Sequence, residues 1–467
     1  MVGEEVLHLT VAELSARIRA RQLSPAELVE SCLQRIRRHD GTLHAFVTVT
    51  ADLARREARR AEAEILAGRW RGPLHGIPYA AKDLFDTAGV RTTWGAAPLR
   101  DRVPDADATV VRRLREAGAV LIGKTAMIEF AGGLGYRFAD ASLGGATRTP
   151  WDTDRWAGGS SSGSGAAVAA GLCGFALGTE TWGSILCPAA FNGVTGLRPT
   201  YGRVSRHGAM VCSWSFDKVG PLARSAEDCR FVLRAIGGKD PLDPTTADEP
   251  LVLEGPARRR PPQVRAALVP LDFSKHGEAE SKRAFDAAVA ELRAMGVRVE
   301  EAALPAFPAA EVAGVLITAE ALSSFERHYR SGAVRELSDP YAEHQPAIHA
   351  AVTGADLVKA WRVRRALQQA MAEFFERFDV IVTPNFMSVA PPVAQDLFEA
   401  LPYPDPVGAI GNACGLPALA LPAGAGRGGL PVGFQLVGPP FSEALLLDLG
   451  EAYQKRTAHH RARPLMR

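Results

Sequence analysis

Three short segments carry side chains that could act as a nucleophile or as its base. The densest is Gly158 to Gly165, GGSSSGSG, which runs straight into the apolar stretch Ala166 to Gly171. Three readings compete there. A linker would not flow directly into an apolar helix. A dinucleotide loop needs a preceding strand, and Trp151-Asp152-Thr153-Asp154-Arg155 does not read as one. The third reading is a loop of hydroxyls and backbone amides at a helix start, suited to oxyanions and nucleophiles, and it fits best. Twenty-four residues after Ser160 stands Ser184, inside Gly178 to Ile185, GTETWGSI. Small residues around a serine allow a tight turn with several N–H groups pointing one way, although a lone serine in such a turn is more often structural. Lys82 ends the segment Gly76 to Asp83, GIPYAAKD, directly after a buried-looking strand. Taken alone it reads as a salt-bridged strand end. Only 8 of the 54 basic residues are lysines, so each one stands out.

These side chains need a scaffold, and the composition supplies one. The 467 residues are 47% hydrophobic and 23% charged, with 54 basic against 52 acidic side chains for a net +2. That balance excludes a strongly basic nucleic-acid binder and an acidic disordered chain, and leaves a globular protein with a sizeable core. The start, MVGEEVLHLT, lacks the basic and apolar regions of a signal peptide. The most membrane-like stretch, Gly163 to Thr179, is too short and too rich in Gly and Ala to span a bilayer. Six cysteines without a CxxC pair read as reduced thiols in a cytoplasmic protein, and no zinc site is visible.

Along the chain, helices come first. Thr10 to Glu13 and Ser24 to Glu27 have capping-box spacing, the second with Pro25 at the first helical position. A third helix spans about Ala51 to Leu66, and its Arg55, Arg56, Arg59 and Arg60 read as a solvated face. After Gly72-Pro73, strands at Ile77 to Ala81, Ala119 to Ile122 and Gly174 to Gly178 alternate with helices near Ala108 to Ala117 and Gly165 to Ala170. That alternation predicts an α/β sheet covered on both faces. The Pro-, Asp- and Arg-rich stretch 237–262 reads as a connection between two halves. Beyond it the pattern predicts strands at Arg265 to Pro270, Val297 to Glu301, Asp379 to Thr383, Leu416 to Pro422 and Val432 to Gly438. Helices are expected at about Glu280 to Ala294, Ala310 to His328, Ala355 to Phe378 and Glu443 to Arg456.

Together the three segments resemble the core pattern of the amidase signature family: a lysine, GGSS-type serines, then a GTDTGGS-type turn. Asp107 to Thr125, Thr149 to Asp152, Gly193 to Arg206, and Gly415 to Pro422 with Leu430 to Gly438 are similar to that family as well. Close resemblance covers about residues 70–235, and weaker resemblance nearly the whole chain. It implies one domain over 1–467: N-terminal helices (1–70), a signature core (71–236), the connection (237–262) and a second half (263–467) completing sheet and pocket. The fold it implies is a mixed, twisted β-sheet flanked by α-helices on both faces.

The resemblance makes Ser184 the acyl-forming nucleophile, Ser160 a bridging serine held by a cis peptide bond, and Lys82 the general base. The chemistry agrees. A serine hydroxyl is weak until a base takes its proton, and a lysine serves only if burial lowers its pKa from about 10.4 towards neutral. The N–H groups of Thr181, Trp182, Gly183 and Ser184 are expected to form an oxyanion hole. Ala131, Gly132 and Gly133 should lie beside the acyl group. His75 and His207 flank the motifs but read as structural. No metal or organic cofactor is implied.

The family's usual turn continues GTDTGGSIR, whereas Glu180, Trp182 and Leu186 stand here for Asp, Gly and Arg, and Ser162 replaces a usual glycine. Trp182 either lines the pocket or packs behind it. With Asn385-Phe386-Met387 it predicts an apolar, fairly open pocket for small or aromatic amides. Carbamates and aryl esters would pass through the same intermediate. The family also includes the glutamine-hydrolysing component of a tRNA-dependent amidotransferase, where Leu186 stands in place of the arginine common there. The expected partners are thus a small-molecule amide, carbamate or ester, with no nucleic acid and no membrane, and a monomer or homodimer in which the N-terminal helices could form an interface.

Overall fold

In the computed structural model, residues 2–254, 260–401 and 407–466 are described. The strands, in chain order, are β1 (Phe46–Val49), β2 (Pro78–Lys82), β3 (Val120–Thr125), β4 (Arg148–Thr149), β5 (Asp152–Trp156), β6 (Phe175–Glu180) and β7 (Thr195–Arg198). They continue with β8 (Lys218–Ala223), β9 (Arg265–Leu268), β10 (Arg298–Glu301), β11 (Val380–Pro384), β12 (Ala418–Ala425) and β13 (Pro431–Val437). Eleven of them form one sheet in the order β1-β3-β2-β6-β8-β7-β12-β13-β11-β9-β10. The sheet is mixed. β2 runs parallel to β3 and β6, the stretch from β6 to β11 pairs antiparallel throughout, and β11, β9 and β10 are parallel again. Strands such as β2, β3, β6, β11 and β13 are buried at every position, which is why they read as continuous apolar runs rather than alternating ones. Helices flank the sheet, so the α/β class holds.

The helix starts follow their caps. Thr10 accepts from the Glu13 N–H and Glu13 returns to the Thr10 backbone, a complete capping box for Val11–Arg19. Ser24 accepts from the Glu27 N–H, with Pro25 opening the helix Pro25–Leu43. Helices Ala51–Leu66 and Glu443–Arg456 match their expected bounds. No helix among the described residues is long and apolar enough to cross a membrane.

Three expectations need correction. Asp152–Trp156 is a strand, β5, but it lies outside the main sheet, in a two-stranded ribbon with β4 and an isolated bridge from Arg155 to Pro392. Its inner positions are exposed or half-buried, so no apolar alternation announced it. The helix expected over Ala310 to His328 breaks at Phe325, giving Ala309–Ser324 and Glu326–Ser331. The helix after the serine loop starts earlier than expected, at Ser162. Within the connection 237–262, Asp240 and Asp243 bind Thr109, Ser205 and the Arg206 backbone, while residues 255–259 lie outside the described residues.

Candidate active site

Tyr79 to Ala81 of β2 pair in parallel register with Phe175 to Leu177 of β6, so both strands end at the same edge of the sheet. Lys82 closes β2 and Glu180 closes β6. The serine loop arrives at the same place because two backbone contacts hold it. The Ala126 N–H donates to the Ala45 carbonyl (2.8 Å) and the Gly163 N–H donates to the Ala126 carbonyl (2.9 Å). A Cβ at Gly163 would sit 2.1 Å from that Ala45 oxygen, so only glycine fits. The Gly159–Ser160 peptide bond is cis.

Lys82 is fully buried, and its Nζ donates to Ser160 Oγ (2.8 Å) and Thr179 Oγ1 (3.0 Å). Burial lowers its pKa to about 7, against the opposing influence of Asp217, Cys212 and Glu180. Near neutrality a large share of the side chain is therefore a free amine touching a serine hydroxyl, the arrangement a proton acceptor needs. Ser161 stitches loop to turn. Its N–H donates to the Ser184 carbonyl (3.2 Å), and its hydroxyl bridges the Thr179 carbonyl and N–H (3.2 and 3.3 Å). Ser162 is buried, and its hydroxyl has no partner among the described residues.

The turn between β6 and the helix Leu186–Asn192 is braced by Glu180. Its carboxylate accepts the N–H groups of Ile185 (2.9 Å) and Leu186 (3.1 Å) and binds Arg198 at 2.6 Å. Burial alone would raise its pKa, but Arg198 and Lys218 hold it down to about 2. The longer Glu thus keeps a bracing role open to the shorter Asp. The left-handed step falls on Gly183 (φ 83°), where no heavy atom would meet a Cβ, and Trp182 is spared it. Among the described residues, the N–H groups of Thr181, Trp182, Gly183 and Ser184 donate to no protein acceptor. Free amides in a turn are what an oxyanion requires.

A cavity of about 480 Å³ opens onto this turn. Ser184, Thr181, Trp182, Ala131, Gly132 and Gly133 line it, so Trp182 belongs to the wall. Phe130 and Ala131 take left-handed backbone (φ 48° and 57°), a conformation costing a non-glycine residue about 1–2 kcal/mol, and this swings the Gly132-Gly133 segment alongside the turn. Phe386 is present as expected. Lys82, Ser160 and Gly183 are not part of the wall, and neither histidine is. His75 is buried beside Glu64 (3.2 Å), and His207 is exposed.

Sequence reasoning missed several wall residues: Trp156, Ile317, Leu397, Phe398 and Leu401. Cys212, also in the wall, and Asp217, which accepts the Thr181 hydroxyl at 2.5 Å, went unremarked. Ile317 lies on an expected helix and the others in segments with no local pattern, but nothing in the sequence aims any of them at the site, and only the fold brings them together. Among the described residues no charged side chain lines the cavity.

The profile of the family described as Amidase matches residues 27–447. The A-type polypeptide of the glutamyl-tRNA(Gln) amidotransferase of Moorella thermoacetica is 39% identical, covering 98% of this chain and 99% of its own length. Among solved structures, the native peptide amidase of Stenotrophomonas maltophilia superposes with a TM-score of 0.85 at 34% identity, over 98% of each chain. The A-type polypeptide of the same amidotransferase from Thermotoga maritima gives 0.82 at 28% identity, over 100% of this chain and 99% of its own. A match spanning most of the chain, on a sheet that brings Lys82, Ser160 and Ser184 to one edge, means that this protein belongs to the amidase signature family.

Proposed function

We propose that the protein hydrolyses the C–N bond of small apolar or aromatic amides through an acyl-enzyme on Ser184. Ser160 passes the Ser184 proton to Lys82 and later returns a proton to the leaving nitrogen. The free amides of Thr181 to Ser184 hold the oxyanion, a feature typically worth about 3–4 kcal/mol per donor. The contact that carries this reading is Lys82 Nζ to Ser160 Oγ, 2.8 Å, inside a fully buried site. Among the described residues no charged side chain lines the cavity, which supports an apolar substrate. Carbamates and aryl esters remain within reach of the same chemistry. We read residues 1–467 as one domain, since strands of both halves share the sheet, and place the enzyme, with its free thiols, in the cytoplasm.

A second reading is the glutamine-hydrolysing component of a tRNA-dependent amidotransferase. The curated relatives support it more directly than the first, because they carry that name across their full length. Against it stand Leu186, where the resemblance implies an arginine, and a wall that has no charged side chain among the described residues, since glutamine's ammonium and carboxylate need partners. One assay separates the two: hydrolysis of an anilide, a matching aryl carbamate and glutamine by the wild type and by Ser184→Ala. Cleavage of the anilide by the wild type alone is expected, with the mutant down by at least about 10⁴-fold. Ammonia release from glutamine alone would transfer the assignment to the second reading. Turnover retained in Ser184→Ala would overturn both.

A further inference from the structure

Asp217 has no part in the chemistry above, yet three donors converge on its buried carboxyl group. It stands immediately before β8 and is 6% exposed. Its Oδ1 accepts the Thr181 hydroxyl at 2.5 Å, and its Oδ2 accepts the N–H groups of Cys212 (2.7 Å) and Ser213 (3.1 Å). Thr181 and Cys212 both line the cavity, so one side chain ties two of its walls. Three donors converging on one carboxyl group suit its ionised form.

Asp217 has no close ion-pair partner: burial raises its pKa, opposed by the Thr181 hydroxyl, by Arg206 acting from a distance and by the Ser213 and Cys212 N–H groups, while Glu320 binds the neighbouring Ser213 hydroxyl. Glu180, the other buried carboxylate nearby, is engaged by Arg198 at 2.6 Å. Lys218, next in the chain, turns to Asn412 Oδ1 at 2.6 Å. Arg206 spends its guanidinium on the Trp214 carbonyl, the Tyr201 hydroxyl and Thr245, and lies 3.9 Å from Asp243. Among the described residues, no cation comes within 4.0 Å of Asp217. The geometry brings Asp217 near Lys82: the Thr179 hydroxyl meets Lys82 Nζ, the Thr181 hydroxyl two positions on meets Asp217, and β6 pairs with β8 through Glu180 and Lys218, so Asp217 is the leading charge that favours a protonated Lys82.

We propose that Asp217 is a positioning residue of this site, fixing the nucleophile's turn through Thr181 and supplying the negative charge that stabilises the Lys82 ammonium formed during acylation. The inference rests on the proposed role of Lys82 as base. In that step the Ser184 Oγ–C bond forms, the Ser184 proton passes to Ser160 and the Ser160 proton to Lys82 Nζ. When the C–N bond breaks, the protons run back to the leaving nitrogen, and Lys82 is neutral again.

The test is the pH dependence of anilide hydrolysis by the enzyme and four variants. Asp217→Asn removes an influence that raises the Lys82 pKa, so the base becomes free at lower pH. The acid limb of kcat/KM should move down by about one pH unit, with a lower plateau. Thr181→Val cuts the tether and keeps the charge. It should lower kcat by at least about tenfold and leave KM and the limb in place, while Thr181→Ser restores the rate. An unmoved limb in a folded Asp217→Asn would overturn the electrostatic role. Should that variant not fold, the Thr181 pair still decides, because full kcat in Thr181→Val would overturn the tether. Full activity in Lys82→Ala would instead overturn the reading on which the inference rests.

Discussion

Two buried lysines sit on neighbouring parallel strands, and their surroundings differ in one respect. Lys82 ends β2, and Lys124 lies one register step away on β3, where Ala81 pairs with it. Both are fully buried, and burial lowers both pKa values, to about 7 for Lys82 and about 8 for Lys124. Lys124 gives its protons to the Phe85 carbonyl, Thr87 Oγ1 and Thr92 Oγ1, three acceptors for three donors. Its ammonium is saturated, with Asp83 as the leading charge that favours it. Lys82 also meets three acceptors, the Thr179 carbonyl and hydroxyl and Ser160 Oγ, but the loop that carries Ser160 is bonded through Ser161 to the Ser184 backbone at the cavity. A depressed lysine pKa is thus a mark of burial. What distinguishes a base is a partner hydroxyl on a path to the substrate.

Replacing each lysine is the sharpest way to break this comparison. Lys82→Ala should lower kcat by about 10²–10⁴-fold, at least as much as Ser160→Ala, with the fold retained by circular dichroism. Lys124→Met should do the opposite. It leaves kcat largely unchanged but strands Asp83 and three acceptors, costing about 3–5 kcal/mol in denaturant unfolding. Equal kinetic losses from both would erase the distinction. A finer test is the pH profile. A base with a pKa of about 7 must be unprotonated to act, so kcat/KM should rise through pH 7 and level off above it, in the wild type and in Lys124→Met alike. The smallest effect is expected from the wall. Trp182→Ala should raise KM for an aromatic amide by about tenfold while changing kcat less, measured on paired aromatic and aliphatic anilides.

Much of this was legible before the fold was known. Ser160 sits in a glycine- and serine-dense loop that runs into an apolar helix, Lys82 and Ser184 gained meaning only from the combined resemblance of the three segments, and the caps at Thr10 and Ser24 mark their helices by local hydrogen bonding alone. β5 was not legible, because a ribbon strand facing solvent carries no alternation. β8 hid for another reason: Gly220 and Pro221 interrupt an otherwise apolar run. Asp217 had no signal either. Its partner Thr181 lies 36 positions away, and an aspartate in a Ser-Trp-Ser-Phe loop resembles any turn residue. Tertiary proximity made these residues functional candidates, and no period in the chain encodes it.

The cavity has a further consequence, for how such an enzyme can change. Residues 131–133, Thr181, Trp182 and Ser184 of its wall come from the first half of the chain, whereas Ile317, Phe386, Leu397, Phe398 and Leu401 come from the second. Those five side chains take no part in the hydrogen bonds that hold Lys82, Ser160 and the turn. Part of the wall is therefore written in a stretch of gene separate from the one that writes Lys82, Ser160 and Ser184. On the proposed mechanism, a mutational library confined to those five codons should reshape that side of the pocket while the proton path is inherited intact.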